Sequence, residues 1–273
     1  MLGPADLEAS PAIEAHELVK RYRLGEYVTL GRTIRAVVPG LSSTHSTIEA
    51  VAGVSFSVNR GECFGVVGLN GSGKSTIVQM IAGITLPASG RLVVRGRVRP
   101  LLAVGSGFHH ELTGVENVRL FGAILGIEPS VVDARLDEIA AFAEVERHMD
   151  TPVKRYSDGM KARLSFATGM LFPADVYVFD EVLAVVDGEF LDRCLEAIGT
   201  LTSHGRTVLF VSHSNEQIGQ LCDRVLWMKE GRVQAIGATD EVLPRYIEER
   251  SAHAGESRLT GFTAGAQAAV SRT

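Results

Sequence analysis

Two periodicities take turns along this chain. Residues 12–22 alternate between apolar and polar and predict an opening strand that ends at Tyr22. Val54-Ser55-Phe56-Ser57-Val58 alternates in the same way, as a half-buried strand does. Asn59-Arg60-Gly61 is a turn, and Cys63-Phe64-Gly65-Val66-Val67 after it is apolar without alternation, the pattern of a short buried strand. Ile77 to Ala82 reads as a helix, and Pro87-Ala88-Ser89-Gly90 turns the chain into a further strand, Arg91 to Arg95. From residue 112 to about 170 the period becomes helical. Thr113-Gly114-Val115-Glu116 is a capping-box start, and Val132, Leu136, Ile139 and Ala143 fall on one face of a helix. Strand character resumes at Val176-Tyr177-Val178-Phe179 and at Thr207-Val208-Leu209-Phe210-Val211. A terminal hairpin, Val225 to Met228 and Val233 to Ile236, closes around Glu230-Gly231.

Strands that alternate with helices imply an α/β fold with a mainly parallel sheet. The expected division is a core over 12–106 and 171–249, with a small antiparallel β part, and an inserted helical subdomain over 107–170. Residues 250–273 are small and polar and are expected to be a disordered tail.

Between the buried strand and the first helix stands Gly68-Leu69-Asn70-Gly71-Ser72-Gly73-Lys74-Ser75-Thr76, which matches G-x-x-x-x-G-K-[ST]. Strand, loop, helix is the setting this phosphate-binding loop requires, and in this the core resembles the P-loop nucleotide triphosphatases of RecA-like fold. Gly68, Gly71 and Gly73 let the backbone curl so that successive N–H groups point at phosphate oxygens. Lys74 supplies a mobile point charge for the β and γ phosphates, and Ser75 offers a hydroxyl to Mg²⁺. The helix that follows turns its positive end toward the anion.

Three further positions complete a reaction centre. The apolar strand Val176–Phe179 delivers Asp180 and Glu181 to the carboxyl edge of the sheet, beside the loop. Asp180 is suited to hold Mg²⁺ through water, and Glu181 to polarise the attacking water. His213, after another apolar strand, is suited to hold water and γ-phosphate in line. His109, His110, His148 and His204 have no such setting and read as surface or satisfied histidines. Ser157 opens a second helix start, Tyr156-Ser157-Asp158-Gly159-Met160, which is a second anion site in the same chain.

Composition narrows the class. The chain has 273 residues and a net charge of −5, which gives no pull toward nucleic acid or acidic lipid. Three cysteines, Cys63, Cys194 and Cys222, are widely spaced, as in a reducing compartment. The start lacks the basic and apolar regions of a signal peptide, and no run of 18 apolar residues occurs. A cytoplasmic protein that does not itself span a membrane is expected.

The order of phosphate loop, helical block, Ser-x-Gly signature, Asp-Glu strand end and histidine resembles the ATPase subunit of an ABC transporter, over roughly residues 12–247. The resemblance implies ATP and Mg²⁺ as cofactors and a head-to-tail pair of subunits with ATP between them. Ser157 and Gly159 would then contact the γ-phosphate on the partner's loop, Asp187 would cross-link the two sites, and Tyr22 would stack on adenine. It also implies a place on the cytoplasmic face of the membrane, a partner pair of integral membrane subunits, and no nucleic acid. The rival readings are an ATPase of another ABC transporter type and a soluble ATP-dependent binding factor.

The departures point to a subgroup. Tyr156-Ser157-Asp158-Gly159-Met160 replaces the usual Leu-Ser-Gly-Gly-Gln and resembles the Tyr-Ser-Ser-Gly-Met form of polysaccharide and polyol-phosphate exporters, with Asp158 adding a negative charge. No glutamine occupies the glutamine loop near 102–105; Gly105-Ser106-Gly107-Phe108-His109 instead resembles the Gly-x-Gly-Phe-His of the same group. The segment through Phe108, His109 and Glu111 is expected to touch the membrane subunit. The resemblance implies export of a lipid-linked glycan of O-antigen, teichoic-acid or galactan type, and the short length resembles teichoic-acid, capsule or actinobacterial galactan exporter ATPases.

The stretch between Tyr22 and the phosphate loop is long, and the extra residues 23–47 also match that group. Tyr27, Val28, Leu30, Ile34, Val37 and Val38 share one helical face, and Pro39-Gly40 would stop the helix. Two readings stand side by side: an amphipathic helix at the membrane surface that gates a lipid-linked glycan, and a loop helix packed on its own domain. Charging Val28 and Ile34 together is expected to block transport and spare ATP hydrolysis by the isolated subunit. Loss of hydrolysis in the same variant would assign the helix to the domain's own packing.

Overall fold

A computed structural model of the chain describes residues 10–23, 47–102, 108–186 and 188–252. Most of the 23–47 stretch with its expected helix, the Gly-x-Gly part of 105–107, Asp187 and most of the tail lie outside these residues.

The sequence of alternating and fully apolar strands sorts into two sheets. β1 (Ile13–Arg23) pairs antiparallel with β2 (Thr47–Val58) on one side and β4 (Ser89–Val94) on the other. This sheet faces water on one side, which is why its strands alternate. The second sheet has the order β5-β6-β7-β3-β8-β9. Its members are β3 (Cys63–Val67), β5 (Val98–Leu102), β6 (Val176–Asp180), β7 (Thr207–Val211), β8 (Arg224–Lys229) and β9 (Arg232–Ala238). All neighbours are parallel except the β8–β9 hairpin. β3 and β7 are buried at every position, because helices or the first sheet cover both faces.

Register then decides where functional side chains emerge. Asp180 stands opposite Val211 across β6–β7, and Val66 stands opposite the same Val211 across β7–β3. The carboxyl ends of β3, β6 and β7 therefore finish level. The connections that leave them, at Gly68, Glu181 and Ser212, open at one edge of the sheet.

α1 (Lys74–Ile81) follows the phosphate loop and buries Ile77, Val78 and Ile81 between the two sheets' side chains. The inserted unit holds α2 (Gly114–Ile124), α3 (Pro129–Asp133), α4 (Leu136–Ala143) and α5 (Asp158–Leu171). It has its own core, with Val118, Ile139, Leu164 and Phe172 fully enclosed. The expected capping box is present: Thr113 accepts from Glu116 N–H at 3.2 Å, and Glu116 accepts from Thr113 N–H at 2.8 Å.

The single helix expected from Val132 to Ala143 is two. The break falls at the Ala134–Arg135 turn, where Arg135 is the N-cap of α4 with φ −105° and ψ −5°. Val132 is drawn onto α2, where its Cγ2 occupies the space a Cβ on Gly122 would need, at 2.4 Å. Ile139 and Ala143 remain buried in the same core. Glu144 caps α4 in the left-handed region, φ 58°, and ties the insert to α6 (Gly188–Ser203) by pairing with both Arg163 and Arg193. α7 (Asn215–Leu221) connects β7 to β8. A last helix, α8, covers 239–252, three residues into the segment expected to be disordered.

Asn117, buried on α2, organises the start of the insert. Its Nδ2 donates to the carbonyls of His109, Leu112 and Thr113, and its Oδ1 accepts from His109 N–H at 2.6 Å. Asn117→Ala would leave several of these groups without partners in a closed space. The expected loss is roughly 2–4 kcal/mol, read as a clear fall in thermal midpoint with little change in far-UV signal.

Candidate functional site

The phosphate loop is built by backbone geometry that only glycine tolerates. Gly68 (φ 154°) and Gly73 (φ 101°) lie in the region that side chains avoid. A Cβ on Gly68 would meet the Met228 carbonyl at 2.3 Å, and one on Gly73 the Ala50 carbonyl at 2.4 Å. Gly73 is also the N-cap of α1 and offers no side-chain cap, so the first N–H groups of the helix stay open to a ligand. Asn70, Gly71 and Ser72 form the exposed turn to buried floor of the loop, and Ser75 and Thr76 start the helix.

Lys74 is 5% exposed. Its ammonium donates to the carbonyls of Gly68 at 2.8 Å and Leu69 at 3.1 Å, so it folds back on the loop it belongs to. Burial lowers its pKa, and the charges of Glu181 and Asp180 oppose that shift. Asp180 has the reverse problem. Burial and the Glu181 charge raise its pKa, against the pull of Lys74, His213 and a hydrogen bond from Ser75. Its Oδ1 is buried without a hydrogen-bond partner.

Glu181 turns the chain with φ 56°, and its N–H donates to Val211 O at 3.0 Å. That strained residue swings its side chain to His213, whose Nε2 lies 2.8 Å from Glu181 Oε1. Both side chains stay near half exposed, 45% for His213 and 42% for Glu181. The His213 loop is braced by Ser212, whose Oγ donates to Gln217 and accepts from Ser214 N–H. Ser214 in turn caps α7 through Gln217 N–H.

Thus Gly68 to Thr76, Asp180, Glu181 and His213 converge at one sheet edge. The other expected residues do not join them. Ser157 caps α5, accepting from Met160 N–H at 3.2 Å, with Gly159 in the first turn. No hydrogen bond or ion pair among the described residues joins either to the phosphate loop. Asp158 points into water and pairs with Lys161 at 3.1 Å. Tyr156 is structural: it is buried, donates to His148 O at 2.7 Å, and its hydroxyl pKa is pushed up to about 12 by burial. Tyr22, on β1, is 39% exposed beneath Lys20, whose ammonium stands 5.4 Å from its ring. Ser212, Gln217 and the α8 residue Arg250, whose Nη1 reaches the His213 carbonyl, carry no local sequence pattern that marks them.

Among the described residues no group of three or more His, Cys, Asp or Glu could cage a metal. The Ser75–Asp180 pair with its unpartnered Oδ1 suits a cation that takes its remaining ligands from phosphate and water, as Mg²⁺ does. No helix among them is long and apolar enough to cross a membrane.

Fold and site together define a P-loop nucleotide triphosphatase with an inserted helical unit. Residues 51–184 match the ABC transporter family model. The teichoic acids export ATP-binding protein TagH of Levilactobacillus brevis is 36% identical over 92% of this chain and 69% of that protein. The O-antigen export system ATP-binding protein RfbB of Klebsiella pneumoniae is 38% identical over 86% of this chain and 97% of its own length. Its namesake in Myxococcus xanthus is 36% identical over 94% of this chain, which spans only 60% of that relative. A dimeric ATP-binding cassette in a post-hydrolysis state with ADP and Pi superposes with a TM-score of 0.69 at 19% identity, over 83% of this chain and 98% of that one. The chain belongs to the ABC transporter family of ATP-binding proteins.

Because the folded chain raises the pKa of Asp180, it holds that proton more tightly than the unfolded chain does. The contribution is favourable below the usual carboxylate range and is lost as pH climbs through the raised value, so at neutral pH the charge works against folding. Asp180→Asn is expected to raise the thermal midpoint of the nucleotide-free protein at neutral pH. If Asp180 holds the cation of a bound nucleotide, a rise in midpoint on adding Mg-ATP is expected in the wild type and not in this variant.

Proposed function

We propose that this chain is the ATP-hydrolysing motor subunit of an exporter that moves a lipid-linked polysaccharide, of teichoic-acid or O-antigen type, across the cytoplasmic membrane. Two copies close head to tail on two Mg-ATP, at the cytoplasmic face, and drive a pair of integral membrane subunits. The observation that supports the reading is the level finish of β3, β6 and β7, from which the phosphate loop, Asp180 and the Glu181–His213 pair leave at one edge of the sheet. The relatives named for teichoic-acid and O-antigen export support the cargo class.

Each residue has a role that follows from its surroundings. The open N-terminus of α1 and the loop N–H groups receive the β and γ phosphates. Lys74 exchanges two carbonyl acceptors for phosphate oxygens, whose charge offsets the cost that burial imposes on its ammonium. Ser75 and Asp180 hold Mg²⁺, which supplies charge neutralisation at the β and γ oxygens. Glu181 accepts a hydrogen bond from the attacking water, and His213 donates to the γ-phosphate. Tyr22 stacks on adenine. Ser157 and Gly159 reach the γ-phosphate on the partner's loop, and Asp187 crosses between the two sites.

Glu181→Gln keeps the shape of the side chain and removes its charge. The variant is expected to bind Mg-ATP, to migrate as a dimer when ATP is present, and to hydrolyse it at least about 100-fold more slowly than the wild type. Wild-type turnover in that variant would sink the assignment.

A further inference from the structure

Helix α8 belongs to neither sheet and supplies no residue to the reaction centre, yet its last turn contacts the His213 loop directly and the phosphate loop through the turn after Lys229. Its first turns are fixed. Val242, Leu243 and Tyr246 are buried, Tyr246 meets Trp227 edge-on at 5.8 Å, and Thr239 Oγ1 donates to Cys222 O at 2.6 Å. Beyond Tyr246 the helix runs along a cleft of about 230 Å³ that opens between it, residues 227–230 and the phosphate loop at Leu69 to Ser72. Two polar contacts cross from its last turn. Glu249 Oε1 accepts from Lys229 Nζ at 2.6 Å, and this carboxylate raises the lysine pKa. One residue later, Arg250 Nη1 donates to the His213 carbonyl at 3.4 Å.

The two contacts lead to different parts of the site. Arg250 acts on the His213 backbone directly. Lys229 leads into the Glu230–Gly231 turn, and Gly231 N–H donates to Ser72 O of the phosphate loop at 3.0 Å. One helical turn thus spans the γ-phosphate histidine and the loop that holds the phosphates.

We infer that Arg250 is a positioning residue for hydrolysis: with the Lys229–Glu249 pair it fixes the His213 loop relative to the phosphate loop. The inference rests on the reading of Glu181 and His213 given above. A guanidinium on the His213 carbonyl sets the tilt of that peptide plane, and with it the direction in which the imidazole leaves the backbone. Ser212 and Gln217 brace the loop from the α7 side, and Arg250 braces it from the α8 side. Any load that moves α8 reaches the catalytic geometry through this contact.

The test is Mg-ATP hydrolysis by the full chain, as kcat and KM, for Arg250→Ala and Arg250→Lys, alone and in a His213→Ala background, beside thermal midpoints. Arg250→Ala is expected to lower kcat about 5-fold, with KM within about 2-fold and the midpoint unchanged. Arg250→Lys should recover most of the loss, and Arg250→Ala should cost nothing further once His213 is alanine. Wild-type kcat in Arg250→Ala overturns the inference. So does a loss that persists in full without His213, or one that tracks a falling midpoint. A wild-type chain that hydrolyses no Mg-ATP overturns the site reading itself and is told apart by that control.

Discussion

The register of β6, β7 and β3 is the constraint on which everything else depends. Asp180 and Val66 share Val211 as their opposite number, so three loops far apart in sequence open at one level. A slip of one residue would turn Asp180 to the other face of the sheet and carry Glu181 away from His213. The register is held by packing on both faces. Phe179 and Phe210 stack edge-on at 6.3 Å on one side, while Val178 and Leu209 face the core under α1 on the other. A strand buried on both faces has no polar side to expose, so sliding it costs contacts everywhere at once.

That constraint also explains what the sequence revealed. β3, β6 and β7 were legible because double burial writes an unbroken apolar run, and the phosphate loop because its chemistry is contiguous. Asp180, Glu181 and His213 were legible one at a time, from their places at strand ends; that Glu181 and His213 touch follows only from topology. β5 was missed. Its run Val98-Arg99-Pro100-Leu101-Leu102 carries a buried arginine and a proline, which look like a loop. An edge strand tolerates a residue without N–H, and Arg99 reaches the Pro173 carbonyl at 3.3 Å. α8 was hidden in part by Pro244 within it. Arg250 left no trace at all, because a long side chain on a carbonyl 37 residues away has no local pattern.

The nucleotide-free site is electrostatically uneasy. Lys74 is less basic and Asp180 less acidic than in water, and burial is the leading cause for both. Each is partly offset by the other's charge. Glu181 adds to the strain on Asp180 while lying outside it, closer to solvent. A ligand that brings both negative phosphate and a cation relieves the two groups together. Binding energy is therefore drawn from a folded state that is less stable than its core alone would make it.

The two helix starts differ in a way that bears on the proposed dimer. α1 has a bare glycine cap, so its anion must come close to the backbone and satisfy the open N–H groups. α5 is already capped by Ser157, which accepts from Met160 N–H and keeps its own proton to give. It suits a weaker, later contact, made when a second copy brings its γ-phosphate near. Asp158 in the same turn would oppose that approach if its charge stood alone. It is fully exposed and paired with Lys161 at 3.1 Å, so water and the ammonium both screen it. The departure from the usual signature thus adds little field at Ser157 and Gly159, and closure on ATP remains compatible with it.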